Sequence, residues 1–202
     1  MRRQELSIEN PEEINAVLNA CTWGTLSLQT DDEWPYSVPM NFALSQGKIG
    51  LHCALQGKRI ELLNSHMQVQ FTVVREYSFL PSYALGGELA CPATQLFQSV
   101  MLWGNVHRVE DLPRKAEILQ ALMDKMQPEG QHKRMDSNSS DYASSLRSVG
   151  VLEIEPIRIS GKFKFGQNLN AEKVDLLIAF LEKRSFAQDL ETVSLIRKYR
   201  PA

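Results

Sequence analysis

A chain of 202 residues, 43% apolar and 23% charged, has the balance of an ordinary globular protein, and its length suits one domain with an elaboration or two small ones. Its formal net charge of −2 excludes the broad basic footprint of a general nucleic-acid binder or a membrane-surface protein. The opening MRRQELSIENPEEI lacks the apolar stretch of a signal peptide, and no apolar run approaches the roughly 18 residues that span a bilayer, so a cytoplasmic protein with no membrane partner is expected.

Ser7–Ala20 predicts a first helix, capped by Asn10 or Ser7, with Pro11 in its first turn and Ile14, Val17 and Leu18 on its apolar face. The period then changes to two. Thr25–Gln29 alternates like a half-buried strand, and Asp31 and Asp32 turn the chain. Tyr36–Leu44 reads as a second strand, in which Pro39 demands an edge position or a bulge because proline donates nothing to a ladder. Ser45–Lys48 is a hairpin turn with Gly47 for the positive φ, and Ile49–Ala54 returns as strand three. Gly57 breaks the pattern before a short helix over Lys58–Ser65.

Val69, Phe71 and Val73 alternate as strand four. Tyr77–Gln95, with Pro, Gly and Ser scattered through it, reads as a long loop of the functional or mobile kind. Ser99–Val109 is strand five, with Gly104 as a bulge, and Leu112–Met126 is an amphipathic helix. Gln127–Asp141 is a polar loop. Val149–Ile159 is strand six, with Pro156 at its end or at a bulge; helices over Ala171–Arg184 and Leu190–Tyr199 close the chain. Six strands with flanking helices predict a mainly β (β plus α) fold, an antiparallel sheet closed on itself so that no edge is left open.

Several chemistries are absent from the sequence. There is no GxGxxG after a strand, no GxxxxGK[ST] and no GxSxG, and the four histidines lack zinc-helix spacing, so no metal site is expected. Cys21, Cys53 and Cys91 are odd in number and form no CxxC pair, which fits a reducing compartment with the thiols as small apolar fillers. Trp23, Trp34 and Trp103 are expected in core or interface packing. His107, beside Arg108, reads as a surface residue, and His66 and His132 fall at a helix end and in a polar loop.

The stretch that carries chemistry is LHCALQGKR, residues 51–59, where a strand gives way to a short helix. Unsatisfied N–H groups at a helix start, with the helix dipole, make an anion site. Gly57 lets the backbone curl around a ligand, Lys58 and Arg59 add fixed positive charge, and His52 lies at the same strand end. Such a set suits a phosphate monoester. Alone, Lys58 and Arg59 would read as a solvated helix face and His52 as structural.

The order YSVPMNF (36–42), GLHCALQGKRIELL (50–63), QVQFTV (68–73) and QSVMLWGNVHRVED (98–111) resembles the pyridoxamine 5′-phosphate oxidase-like FMN-binding split barrels. Within them it is most similar to the 5-nitroimidazole-resistance-related branch, as is the Met-Arg-Arg opening followed by a helix. KFGQN (164–168) with the helix after it resembles a C-terminal segment of some FMN-binding relatives. The resemblance implies a six-stranded antiparallel split barrel over residues 1–162, with 163–202 as a helical extension packed on it. It further implies a homodimer with FMN in the dimer groove. The family's phosphate ligands fall on His52, Cys53, Ala54, Lys58 and Arg59, with Gln98, Ser99 and Val100 completing the set; its flavin ring lies along Ser37, Val38, Pro39, Met40 and Asn41. The late Trp and Arg-x-Arg of the oxidase itself are missing, which argues against pyridoxamine phosphate oxidation. The resemblance implies an oxidoreductase passing a hydride from a nicotinamide donor to a small organic, nitroaromatic-like acceptor, with His52 as the one candidate proton donor. The alternatives are a flavin-binding sensor, carrier or regulator without turnover, and a barrel that holds haem or a deazaflavin.

Overall fold

The computed structural model describes residues 3–31, 34–65 and 67–200. The turn residue Asp32, His66 and the first two residues of the Met-Arg-Arg opening lie outside them. In chain order come β1 (Ser7–Ile8), α1 (Pro11–Ala20), β2 (Trp23–Leu28), β3 (Tyr36–Ser45), β4 (Lys48–Cys53), α2 (Lys58–Ser65) and β5 (Gln68–Leu80). These are followed by β6 (Thr94–Arg108), α3 (Leu112–Met126), α4 (Ser140–Ser148), β7 (Gly150–Lys164), α5 (Ala171–Arg184) and α6 (Asp189–Tyr199). The sheet order is β1-β7-β4-β3-β2-β5-β6, and β6 pairs back to β7, which closes a six-stranded antiparallel barrel with β1 as an extra strand on β7. The mainly β fold expected from the period-two segments is the fold observed.

The sequence divides into two compact units, through both of which β5, β6 and β7 run. One comprises Met1–Ile14, Val74–Ser99 and Ser160–Ala202; the other comprises Asn15–Val73 and Val100–Ile159.

The second unit carries most of the barrel ladders. Its interior is filled by Leu26, Phe42, Ile49, Leu51, Phe71 and Leu102, all essentially inaccessible to solvent. Phe42 and Phe71 meet edge to face, 5.0 Å between centroids. Helix α3, capped by the Asp111 carboxylate on the Arg114 N–H (2.9 Å), buries Ile118 and Leu122 beside Ala43 and Val151. A polar clasp fixes the β3–β4 hairpin to that helix and to β7: Glu153, nearly buried, takes Lys48 at 2.9 Å and Arg114, and Arg114 Nη1 donates to Ser45 Oγ at 2.9 Å. Gly104 on β6 lies so close to β7 that a Cβ there would sit 2.2 Å from the Glu155 carbonyl oxygen. The glycine therefore serves a close strand approach.

The first unit holds α5 and α6. Asp189, 1% exposed, grips Arg184 through both oxygens (2.6 and 2.8 Å) and accepts from Ser78 Oγ on β5 at 2.6 Å. Arg184 Nη1 also donates to the Phe79 carbonyl at 2.9 Å. The guanidinium first, then the serine and the Phe186 N–H, hold the Asp189 carboxyl down to about 2.

Four expectations change. Helix α1 begins at Pro11, capped by the Asn10 side chain on the Glu12 N–H (2.8 Å), and Ser7 belongs to β1. Strand β5 runs on to Leu80, so the loop expected from Tyr77 is 81–93, with a short helical turn at Ser82–Leu85. Helix α4 replaces the end of the polar loop and the residues after it; only Leu146 in it is buried, and its last carbonyls are held by the Lys115 ammonium (3.3 and 3.0 Å). Strand β7 continues past Pro156 and past the end expected at Ile159 to Lys164, while its ladder with β4 ends at Ile154. No helix among the described residues is long and apolar enough to cross a membrane.

Two expected outcomes follow from these contacts. Gly104→Ala lowers unfolding free energy by about 2–3 kcal/mol in a urea titration, since backbone must give way. Asp189→Asn lowers it by roughly 2–4 kcal/mol at neutral pH, leaving Arg184 uncompensated. The Asp189 carboxyl is depressed in the folded state, so its contribution is complete above the ordinary value of 3.8 and disappears as pH falls towards 2. Acid titrations of the two proteins should therefore converge over that window.

Candidate functional site

The first half of β3 has a ladder on one side only. Its pairing with β2 covers Tyr36 to Asn41, whereas its pairing with β4 covers only Phe42 to Ser45. Residues 36–41 thus form a local edge inside a closed barrel, and Pro39 sits on it opposite Thr25. This is the edge position that the proline demands. The outward side chains of β2, β3 and β5 here are uncharged, and Ser27 and Gln70 line a cavity of about 530 Å3 that Arg158 also lines. Ser37, Pro39 and Asn41 lie beside Ser27, Thr25 and Trp23, which lie beside Gln70 and Thr72 of β5. Trp23 is 59% exposed, so neither it nor the similarly exposed Trp34 packs in the core, while Trp103 is half-buried beneath Arg158 at 3.9 Å.

Strand β4 ends against β7 with Cys53 opposite Gly150. A Cβ on Gly150 would lie 2.9 Å from both Cys53 Sγ and the Ala54 carbonyl oxygen, so glycine is what lets the chain leave β4 along this path. Gly57 follows at φ +113, a conformation side-chain-bearing residues rarely adopt, with open space where a Cβ would point. Its carbonyl accepts from Ile60 N (2.9 Å) and Glu61 N (3.1 Å) and so starts α2.

Arg59 connects this junction to β3. Its Nη1 rests on Met40 Sδ at 2.8 Å, and its Nε is buried with no hydrogen-bond partner among the described residues. A thioether is a weak acceptor, and a buried guanidinium N–H left unmade costs about 1–3 kcal/mol. Other cations lie nearby, of which Arg108 is paired with Glu110 at 2.8 Å. Burial raises the Cys53 thiol above its ordinary value, and the charges acting on it, from Arg59, Arg108 and Lys115, are all cations that pull it down. An unmet guanidinium donor and a glycine turn into a helix start together suit an oxyanion such as a phosphate monoester.

The structure thus brings Met40, Cys53 and Arg59 together, with His52, Ala54 and Lys58 adjoining them along the chain. His52 and Ala54 are exposed, and Lys58 opens α2. Ser37, Val38, Pro39 and Asn41 lie on the half-open stretch of β3; Met40 alternates inward, so it supports Arg59 and presents no outward side chain. Gln98 and Val100 are directed inward, Gln98 accepting from the Tyr77 hydroxyl at 2.8 Å, while half-buried Ser99 donates to the Lys162 carbonyl at 3.5 Å. Cys21 and Cys53 are buried fillers, but Cys91 is exposed. Sequence reasoning missed Arg108, Lys115 and Gly150. Arg108 looked like an ordinary surface cation, Lys115 an ordinary helix residue, and nothing local marks Gly150 as a contact of Cys53.

Arg59→Met should raise the unfolding free energy of the ligand-free protein by about 1 kcal/mol, because it removes the orphaned donor and keeps the apolar stem. The same substitution should abolish binding of a phosphate-bearing ligand. Urea denaturation and ligand titration of one variant check both.

Comparison with known proteins agrees with this architecture. A family profile described as pyridoxamine 5′-phosphate oxidase matches residues 10–163. Among curated proteins, none matches. A candidate 5-nitroimidazole antibiotic resistance protein from Bacteroides thetaiotaomicron superposes with a TM-score of 0.62 at 24% identity, over 77% of this chain and 85% of that one. The flavocytochrome Anf3 of Azotobacter vinelandii superposes at 0.67 and 20% identity over 81% and 72% of the two chains. An FAD and heme binding protein of Mycobacterium smegmatis gives 0.64 and 16% identity over 79% and 73%. At these identities the solved structures show a shared fold. The profile spans the barrel from α1 to the end of β7, and on that match the chain belongs to the pyridoxamine 5′-phosphate oxidase family.

Proposed function

We propose that this protein is a flavoprotein that holds FMN by its phosphate at the β4–α2 junction, with the flavin ring along Ser37–Asn41. The observation that carries the reading is the buried, unpartnered Nε of Arg59 beside the Gly57 turn. That one structural neighbour is named a flavocytochrome, another an FAD and heme binding protein and another an FAD-binding protein supports a flavin in this fold. Lys58 and Arg59 neutralise the phosphate, and the α2 N–H groups position it. The ladder-free side of β3 offers backbone groups to a polar ring edge, and Thr25, Ser27 and Ser37 beside it carry no charge of their own. Bound there, FMN supplies hydride transfer. The chain contributes little acid–base chemistry of its own: His52 is the exposed imidazole on this strand, and it is the group assigned to deliver a proton.

The activity proposed is oxidoreduction, from a nicotinamide donor to a small organic acceptor of the nitroaromatic class. A second copy of the chain is proposed to cover the outward face of β2, β3 and β5 in a homodimer, with the cofactor in the groove; a monomer in light scattering would refute that part.

Purified protein should show flavin absorption, and released FMN should rebind. Lys58→Ala with Arg59→Ala should weaken that binding by roughly 100-fold or more, the value of two charge-assisted contacts. Bleaching of the bound flavin by NADH or NADPH, and its return on adding a nitroaromatic, is the expected catalytic signature. Flavin that binds but stays oxidised would assign the protein to carriage or sensing instead. Failure to take up FMN at all would sink the cofactor reading.

A further inference from the structure

The first unit contains a cavity of about 430 Å3 that shares no residue with the flavin site proposed above. Its apolar lining includes Leu85 and Leu169, both half-buried, and its basic groups are Arg3, Lys164 and Lys173. No described residue lining it is acidic. Five other cations of the same unit are neutralised, Arg75 by Glu191 (2.9 Å), Arg184 by Asp189 (2.6 Å), Arg197 by Glu182 (2.7 Å), Lys198 by Glu13 (2.5 Å) and Arg200 by Asp175 (2.9 Å), while Lys162 and Lys183 have no ion pair among the described residues. Among the described residues, the three cations at the cavity have no carboxylate within ion-pair distance, and they converge on one space.

Lys164 is the most constrained of the three. It is half-buried at the end of β7, and its ammonium donates to the Thr94 hydroxyl. Burial, then the neighbouring charges of Lys162 and Arg3, pull its pKa below the ordinary value of 10.5. A partly desolvated cation among like charges is stabilised by an incoming anion. The leucines add a second requirement. A bare inorganic anion would leave them facing water, whereas an anion with an apolar body covers them.

We propose that this cavity binds a small organic acid, its carboxylate meeting Lys164, Lys173 and Arg3 and its apolar chain or ring lying on Leu85 and Leu169. Such a site needs no flavin.

The test is calorimetric titration of the full-length protein, as purified, with octanoate, and with octanol and inorganic phosphate as controls. Cys91 lines the cavity and is exposed, while Cys21 and Cys53 are buried, so alkylation of Cys91 by iodoacetamide gives a second readout on the unmutated chain. Octanoate should bind saturably and slow Cys91 alkylation, and octanol and phosphate should each bind at least about ten-fold more weakly. Lys164→Gln with Lys173→Gln should weaken octanoate roughly ten-fold or more while any flavin spectrum stays unchanged. Octanol binding as tightly as octanoate would mean a plain apolar pocket, and phosphate binding as tightly a plain anion site; either overturns the proposal. So does the absence of saturable binding with unprotected Cys91, or a double variant that binds octanoate as before.

Discussion

The barrel depends on how closely other strands approach β7. This strand pairs with β1, β4 and β6, so it closes the sheet and also seats the strand that leads to the candidate site. Both approaches leave no room for a side chain: Gly104 faces the Glu155 carbonyl on one side, and Gly150 faces the exit of β4 on the other. Closure and site are consequently one problem. Widening either contact would loosen the ladder and also move the Cys53–Ala54 backbone from which the Gly57 turn departs.

The two units are stabilised in different ways. In one, aliphatic and aromatic side chains fill the barrel, and a clasp around Glu153 fastens the β3–β4 hairpin to α3 and β7. In the other, a polar centre is fully satisfied: Asp189, Arg184, Ser78 and Thr192 bond to one another almost out of contact with water. A satisfied buried network is costly to disturb, because each lost partner leaves a charge or donor stranded. Arg59 is the contrasting case, a buried donor that the fold leaves unmet. Folding alone gives no reason to keep such a group, and anion binding does.

Much of this was legible in the residues. Helices α2, α3 and α5 fall where their periodicity puts them, and Pro39 announced an edge that the ladders later revealed. The misses share a cause. The second half of β5 carries Arg75 and Glu76, which interrupt the alternation, and it is held by Tyr77 and Ser78 through hydrogen bonds that no apolar pattern encodes. Helix α4 was invisible because one buried leucine and a lysine from α3 hold it. In the candidate site, motif order pointed to the β3 and β4–α2 segments, but local sequence could not tell inward from outward side chains. Met40, Gln98 and Val100 point in, and Arg108 and Lys115 arrive from elements far along the chain.

The one-sided stretch of β3 has a consequence for solubility. A row of unpaired backbone groups is a template on which a foreign strand can grow, and repeated growth leads to aggregates. Pro39 spoils that template, since an added strand would meet a residue with nothing to donate. A compact ligand needs only one or two of these backbone groups and tolerates the gap. The proline thus filters what can occupy the opening, admitting a small molecule while refusing an endless neighbour.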